Sequence, residues 1–454
     1  MYILHVSLGD PDSHQGGLNR YCKELMETQN KCGHKTAVIY PGTFIQSKYP
    51  IVISVNKNKY DIFEALPVAI TYGIDNPKRY MVPARGNAYL NFLRKQKPDV
   101  IHVHSIQGIH AEFFEAAKEL GIPMVLTTHD YYPICRKCIL IDQNGKLCDD
   151  ASVEKCAICN ANAGLSVMKQ RIIQSMLYQN CKGSAFMRKA KARAKGVTMT
   201  TVATPLDIKN ATNAAEYAEL QNYYSHIVNM FSMIHCNSNL TYKIYCGSFP
   251  ALPMRIVPIT HMGLTRCQHK RGSICRITYM GGESAHKGFA VLMSAIKSLC
   301  ESDSGRRWQL NLYGGNFQAH PVEDARILYH GYFGLKEAEH VWNNTDILIM
   351  PSQWRETFGF VLLEALCRGI PVICSDLVGA QDLNLSELIF SHMDAERLYE
   401  KIVFLLNDDN YSRIQAQILK LTLPTDMEKH ARSMLALYQE CEHEYSSMHK
   451  QTCE

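Results

Sequence analysis

The chain has little of what would place it within a membrane or on a nucleic acid. No uninterrupted apolar run in its 454 residues approaches the roughly 20 that a bilayer requires. Charge is nearly balanced: 48 Lys and Arg against 43 Asp and Glu leave +5. That is too mild for a nucleic-acid partner, yet it suits anionic substrates or an anionic membrane surface. The opening MYILHVSLGD reads as a strand and lacks the basic segment and apolar core of a signal peptide, so a cytoplasmic location is expected, with the inner face of the membrane available for peripheral contact. No G-x-G-x-x-G follows that strand, which speaks against a dinucleotide-dependent dehydrogenase. No paired-Asp signature offers to hold a divalent cation between phosphates, so catalysis without a metal is expected.

What is present is a large apolar fraction, 46% of the chain, enough at this length for two domains with full cores. The grammar is α/β throughout. In the first half, strand Tyr2 to Ser7, a helix from near Leu18, strand Lys35 to Tyr40, helix Ala88 to Lys97, strand Asp99 to Val103, helix Ala111 to Leu120 and strand Pro123 to Thr128 alternate as in a doubly wound sheet. The second half repeats this from CRITYMGG (275–282) through helix Gly288 to Cys300, strand Trp308 to Tyr313 and the short ILYHG segment. Two Rossmann-like domains, 1–262 and 263–426, are therefore expected, with a cleft between them as the natural active site and a final amphipathic helix over 427–454.

The most informative stretch is ILIMPSQWRETFGFVLLEALCRGIPVICSD, from Ile347 to Asp376. DILIMP suits a buried parallel strand, FVLLEALC takes up helical spacing until Gly369, and VICS resumes a strand, giving one βαβ unit. Glu356 falls on the loop and Glu364 one turn inside the helix. Ligands bind beyond the carboxyl ends of such strands, where a new helix presents free backbone N–H groups to an anion. A carboxylate among Val361, Leu362, Leu363, Ala365 and Leu366 needs a partner. Ligand hydroxyls would serve, and an i,i+4 pair with Arg368 is the plainer alternative.

The pattern PS-x3-ETFGFVLLEAL-x2-G-x-PVI resembles the donor-sugar signature of retaining GT-B glycosyltransferases of family 4. The resemblance implies that Glu356 contacts sugar hydroxyls, that the backbone of Thr357, Phe358, Gly359 and Phe360 meets sugar and phosphate, and that Glu364 grips the ribose. It also makes His129, after strand MVLTT, a sugar-side and catalytic candidate, and it makes Gly16, Gly17, Asn19 and Arg20 of the GG-x-x-R pattern acceptor-side or phosphate-side candidates. On the residues alone, a glycine pair is usually a turn, and a His at a strand end is usually a structural hydrogen-bonder. His102 and His104 of VIHVHS share that position, though strand alternation packs one or both within the sheet.

In MGGESAHKGF (280–289), Gly282 and Lys287 are placed to meet a diphosphate. Many family members have an Arg where this chain has Gly282 and Glu283, which leaves Lys287 as the main visible countercharge. The resemblance thus implies that a sugar leaves its nucleotide diphosphate through an oxocarbenium-like state, with Lys287 and the helix N-terminus meeting the developing charge. The leaving phosphate of such enzymes is thought to help deprotonate the acceptor, so no protein nucleophile is assigned and Glu356 is a sugar binder. The expected reaction is transfer from a UDP- or GDP-linked sugar to a glycan or polyprenyl-diphosphate-linked acceptor, in surface polysaccharide biosynthesis. A catalytically silent sugar-nucleotide-binding or scaffold protein and a GT-B nucleotide-sugar epimerase are the alternatives.

Seventeen cysteines are many for a cytoplasmic chain, and five of them cluster at the start of an insertion spanning about 131–224: Cys135, Cys138, Cys148, Cys156 and Cys159. Two CxxC pairs at this separation favour structural zinc over a redox pair or unbonded thiols. Spacing alone selects the two CxxC pairs and drops Cys148. The family resemblance selects Cys135, Cys148, Cys156 and Cys159 and leaves Cys138 as the spare. The remaining insertion, Val167 to Tyr224, is polar and helix-prone. Its basic run MRKAKARAKG (187–196) suits an anionic leaflet at about 1 kcal/mol per basic residue, or is a solvated helix face.

Overall fold

A computed structural model describes residues 1–12, 16–45, 48–161, 163–175, 178, 214–302, 307–317, 322–334 and 336–451. The basic run 187–196 lies outside them, as does the insertion between residues 178 and 214. The chain forms two compact units: Met1–Asn237 with Thr241–His261 and Asp426–Glu454, and Ser238–Leu240 with Met262–Thr425.

The first unit is built on an eight-stranded sheet of β1 (Tyr2–Val6), β2 (Lys35–Pro41), β3 (Ile51–Asn56), β4 (Lys59–Phe63), β5 (Val100–Val103), β6 (Met124–Thr127), β7 (Met233–Cys236) and β8 (Met254–Ile256), in the order β3-β4-β2-β1-β5-β6-β7-β8. Every neighbouring pair is parallel except the β3–β4 hairpin. All five residues of β1 are buried, as a parallel strand covered on both faces requires. Among the described residues, the helices of this unit, besides the chain's last, are α1 (Gly17–Lys31), α2 (Ala88–Gln96), α3 (Ala111–Glu119), α4 (Val153–Asn160), α5 (Val167–Ile173), α6 (Ala214–Val228) and most of α7 (Asn239–Ser248).

Two features depart from the sequence pattern. The β3–β4 hairpin leaves no signal in the sequence pattern, because β3 is an edge strand whose side chains are mostly exposed and so carry no alternation. The stretch 167–224 was expected to be polar to its end, but α6 buries Tyr217, Leu220, Tyr224, Ile227 and Val228 in the first core. Tyr224 and Tyr132 share a hydrogen bond of 2.8 Å, so the end of the insertion is part of the domain. The chain's last helix (Met427–Gln451) lies against α1 and buries Met434, Tyr438 and Cys441 within the same unit.

The second unit carries a six-stranded parallel sheet of β9 (Cys275–Met280), β10 (Trp308–Tyr313), β11 (Ile327–Gly331), β12 (Ile347–Met350), β13 (Val372–Ser375) and β14 (Ile389–Phe390), ordered β11-β10-β9-β12-β13-β14. Its helices are α8 (Phe289–Glu301), α9 (Ala338–Asn343), α10 (Phe360–Cys367), α11 (Ala395–Leu406) and α12 (Asp408–Ile418). In chain order this is the 3-2-1-4-5-6 arrangement of a doubly wound sheet, with its switch between β9 and β12, where ligands bind beyond the carboxyl ends.

Candidate functional site

The loops leaving β9 and β12 converge on Glu356. This carboxylate is 5% exposed. Its Oε1 accepts a hydrogen bond from the Ser352 hydroxyl at 2.8 Å and pairs with the Lys287 ammonium. Burial alone would raise the carboxyl, but the charge and hydrogen bond of Lys287, with that of Ser352, outweigh it and hold Glu356 below the usual carboxylate range. The loop backbone is fixed as firmly: Glu356 N–H donates to Leu377 O (2.9 Å), Gly379 N–H to Glu356 O (3.0 Å) and Ala380 N–H to Phe358 O (2.7 Å).

Two glycines allow this approach. Gly288, at φ +78°, lies so close to Pro351 that a Cβ would sit 1.7 Å from the Pro351 carbonyl oxygen. The turn carrying Lys287 thereby docks on the β12 loop, where Gln353 N–H donates to His286 O at 2.8 Å. Gly359, at φ +98°, caps α10, and its Cβ would lie 3.1 Å from Glu356 Oε2. The carboxylate thus sits beside the start of α10, whose first N–H groups have no acceptor within the helix. Thr357 and Phe360 are half-buried, while the Phe358 ring is in the core and packs on Phe360 with centroids 5.3 Å apart.

Gly282 has the opposite constraint. At φ +60°, its Cβ would lie 2.6 Å from Gly314 O, and its own carbonyl accepts from the Tyr279 hydroxyl at 2.9 Å. This position admits no side chain, so the arginine expected by resemblance has no room at 282. Glu364 is half-buried in α10. The plainer alternative, a side-chain pair with Arg368, is not what forms: Arg368 donates to the Glu364 main-chain carbonyl (3.1 Å) and to the Glu339 carboxylate (2.6 Å).

In the first unit, Gly16 and Gly17 open α1, with Gly16 at φ +144°. Asn19 is buried, and its Oδ1 accepts no hydrogen bond among the described residues. Arg20 donates to Glu24 (2.9 Å) and to His261 Nδ1 (2.8 Å). His129 follows β6 with its Nε2 3.3 Å from His104 Nδ1. Burial and nearby histidines lower its pKa to about 3, so the ring is neutral at ordinary pH. His102 and His104 are both fully buried in the sheet. The sequence did not single out their partners His5, Gln29, Thr127, His235 and Tyr438, although polar residues inside otherwise apolar strands are the signal that marks three of them.

The cysteines divide four to one. Ile141 and Leu147 bridge in a small hairpin that returns Cys148 to Leu140, whose carbonyl accepts from the Cys148 N–H at 2.8 Å, and α4 carries Cys156 and Cys159 on one face. The Cys156 thiol is pushed up to about 12 by burial first, then by the neighbouring Cys135, Cys148 and Cys159. Cys138 instead turns inward, where its thiol donates to Ile70 O at 2.9 Å. The four thiols are neighbours without closing to ligand spacing, since among the described residues only His5, His102 and His104 bring three ligand atoms within 4.8 Å of one another.

Residues 275–408 match the family described as Glycosyl transferases group 1, and residues 15–154 match Glycosyltransferase Family 4. The chain belongs to the GT-B glycosyltransferases of family 4, group 1. The two matches include Gly16 to Arg20, His129, Lys287, Glu356 and Glu364. Among solved structures, this family member is similar to the lipopolysaccharide outer core galactosyltransferase WaaB in its apo form, with a TM-score of 0.53 at 12% identity over 96% of this chain and 99% of that one. Two curated relatives are uncharacterized proteins in the cps region of Klebsiella pneumoniae. A 41.2 kDa protein is 27% identical over 129 residues (27% of this chain), and a 42.6 kDa protein is 23% identical over 301 residues (65% of this chain). The chain spans 35% and 61% of the length of these two relatives.

Proposed function

We propose that the chain is a retaining glycosyltransferase that moves a sugar from a nucleotide diphosphate sugar to a glycan or lipid-linked glycan acceptor, with surface polysaccharide as the product. The observation that carries this reading is the Lys287–Glu356 pair beside the N-terminus of α10, at the switch point of a 3-2-1-4-5-6 sheet. A diphosphate leaving group gathers negative charge as the glycosidic bond breaks, and a half-buried cation with an aligned helix N-terminus answers that charge without a metal ion. Glu356 serves in two ways: it orients the Lys287 ammonium, and its carboxylate accepts hydrogen bonds from sugar hydroxyls. Glu364 takes the ribose hydroxyls. In the first unit, His129 is a neutral ring suited to a sugar hydroxyl, and Asn19 offers its Oδ1 to an acceptor or phosphate-side group.

The cps-region relatives support the polysaccharide role, and the basic run 187–196 supports peripheral contact with an anionic membrane. No helix among the described residues is long and apolar enough to cross a membrane. UDP and GDP remain alternative nucleotides for the donor.

Cys135, Cys148, Cys156 and Cys159 are the donor set we assign to structural zinc. Their chemistry fits the ion, with Cys135 on the turn after Tyr131, Cys148 at the end of the hairpin and Cys156 and Cys159 on one face of α4, and binding would draw them together. Four thiolates would leave no position for substrate, so the ion would tie the hairpin to α4 and take no part in the reaction. Metal analysis of the purified chain should find about one zinc per chain, retained in Cys138→Ala and lost in Cys156→Ala; a ratio near zero in the native chain would sink the assignment. The transferase reading itself is tested by nucleotide release from sugar donors with and without acceptor.

A further inference from the structure

A stripe of polar side chains crosses the first sheet on the face covered by α1 and the last helix. In the strand register, His5 lies opposite His102 and Thr127 opposite His235. His104 stands two residues beyond His102 on the same face. All of these are buried. In such a place every ring nitrogen needs a partner, and the identity of one terminal partner decides all the others.

That terminal partner is the carbonyl of Val257, which can only accept. His235 Nε2 lies 2.8 Å from it and must carry a proton. His235 Nδ1 is then an acceptor, so the Thr127 hydroxyl, at 2.8 Å, donates to it. The Thr127 oxygen in turn accepts from His102 Nε2–H at 2.6 Å. His102 Nδ1 accepts from the Tyr438 hydroxyl at 2.7 Å, and the Tyr438 oxygen accepts from the Gln29 amide at 3.2 Å. That orients Gln29 Oε1 toward His5 Nε2–H at 2.9 Å, leaving His5 Nδ1 to accept from His104 Nε2–H at 3.0 Å. Finally His104 Nδ1 accepts from His129 Nε2–H at 3.3 Å.

From this geometry we infer that one directed hydrogen-bond chain, anchored on the Val257 carbonyl, holds His129 in the Nε2–H tautomer and so keeps the Nδ1 lone pair as its acceptor. Thr127, His235, His102, Tyr438, Gln29, His5 and His104 are positioning residues for His129. The inference rests, for its functional consequence, on the reading of His129 as a sugar-contacting group. An acceptor nitrogen receives a proton-bearing sugar hydroxyl; the other tautomer would present an N–H there instead. The chain also explains why His5, His102 and His104, close enough for a metal, are committed otherwise: each of their ring nitrogens already has a hydrogen-bond partner. Removing the anchor removes the direction, because without it the same side chains are satisfied in reverse, with Gln29 flipped and every proton on Nδ1.

The test uses the full chain labelled with 15N-histidine, in long-range 1H–15N spectra near neutral pH. His5, His102, His104, His129 and His235 should each show a protonated Nε2 and a bare Nδ1; a proton on Nδ1 of His129 or His104 overturns the inference. Thr127→Val keeps the shape and removes the link to the anchor, so the His129 signals should split between tautomers. kcat should fall roughly tenfold with donor KM little changed, and Thr127→Ser should restore both. Tyr438→Phe cuts the chain at a second point and should act alike. Uniform Nε2–H tautomers in the native chain, with split His129 signals but unchanged kcat in Thr127→Val, would uphold the chain and reject the role of His129, whereas unsplit His129 signals in Thr127→Val would reject the anchor. Mixed tautomers in the native protein would reject the chain whatever the kinetics.

Discussion

The Lys287 ammonium and the Glu356 carboxylate form an ion pair at the carboxyl edge of the second sheet, with Ser352 donating to the same carboxylate oxygen. Removing one partner leaves a buried charge, so Lys287→Met should cost about 3 kcal/mol of stability. The double variant Lys287→Met/Glu356→Gln should recover most of that in chemical denaturation. Activity should behave differently. Both variants should lose kcat by on the order of a hundredfold or more, because the cation we propose to meet the leaving diphosphate is gone from each.

Glu364 tests the nucleotide side. Its carboxylate is half-buried in α10 while Arg368 turns to Glu339. Glu364→Gln should weaken nucleotide-sugar binding roughly tenfold, the loss of a charge-assisted hydrogen bond, whatever it does to the thermal midpoint. Calorimetric titration beside a melting curve separates the two effects.

Gly282 tests why the expected arginine is missing. With φ at +60° and Gly314 O only 2.6 Å from where a Cβ would sit, Gly282→Arg should destabilise the second unit by about 1–3 kcal/mol from backbone strain, with the steric clash adding to it. It should lower activity rather than raise it. A gain in turnover would mean that the diphosphate geometry had been misassigned.

The buried histidines set an acid limit. Burial lowers His5 and His235 to about 4 and His129 and His430 to about 3, against an unfolded value near 6.5. Between these values the unfolded chain binds protons that the folded chain refuses. Stability is therefore fully present above about pH 6.5, and it falls as pH drops toward 4, by about 1.4 kcal/mol per pH unit for each histidine. Urea midpoints measured across that range should decline steeply, and His235→Asn should flatten the slope by about one proton.

Much of this was legible in the residues. The period of DILIMP, FVLLEALC and VICS located β12, α10 and β13 because a parallel strand and a buried helix leave unmistakable apolar patterns. The position of Glu356 on its loop followed from the same pattern. Its pairing with Lys287, 69 residues away, did not, since no local periodicity reports which distant charge a buried carboxylate meets. The exclusion of a side chain at Gly282 depends on the backbone of a neighbouring strand turn, and the role of Tyr438 depends on a helix more than 300 residues from His102 in sequence. The spare cysteine shows the same limit: spacing joined Cys138 to Cys135, and only the fold turned its thiol toward Ile70.

Glycosyl transfer is tested most directly by incubating the full chain with UDP-, GDP- and ADP-sugars and following nucleotide release, with and without a lipid-linked glycan acceptor, while NMR reads the anomeric configuration of the product. One donor should be turned over with retained configuration, faster with acceptor present, and Glu364→Gln should weaken its binding. If no donor is bound or consumed, and Glu364→Gln changes nothing, the chain is not a glycosyltransferase of the kind proposed.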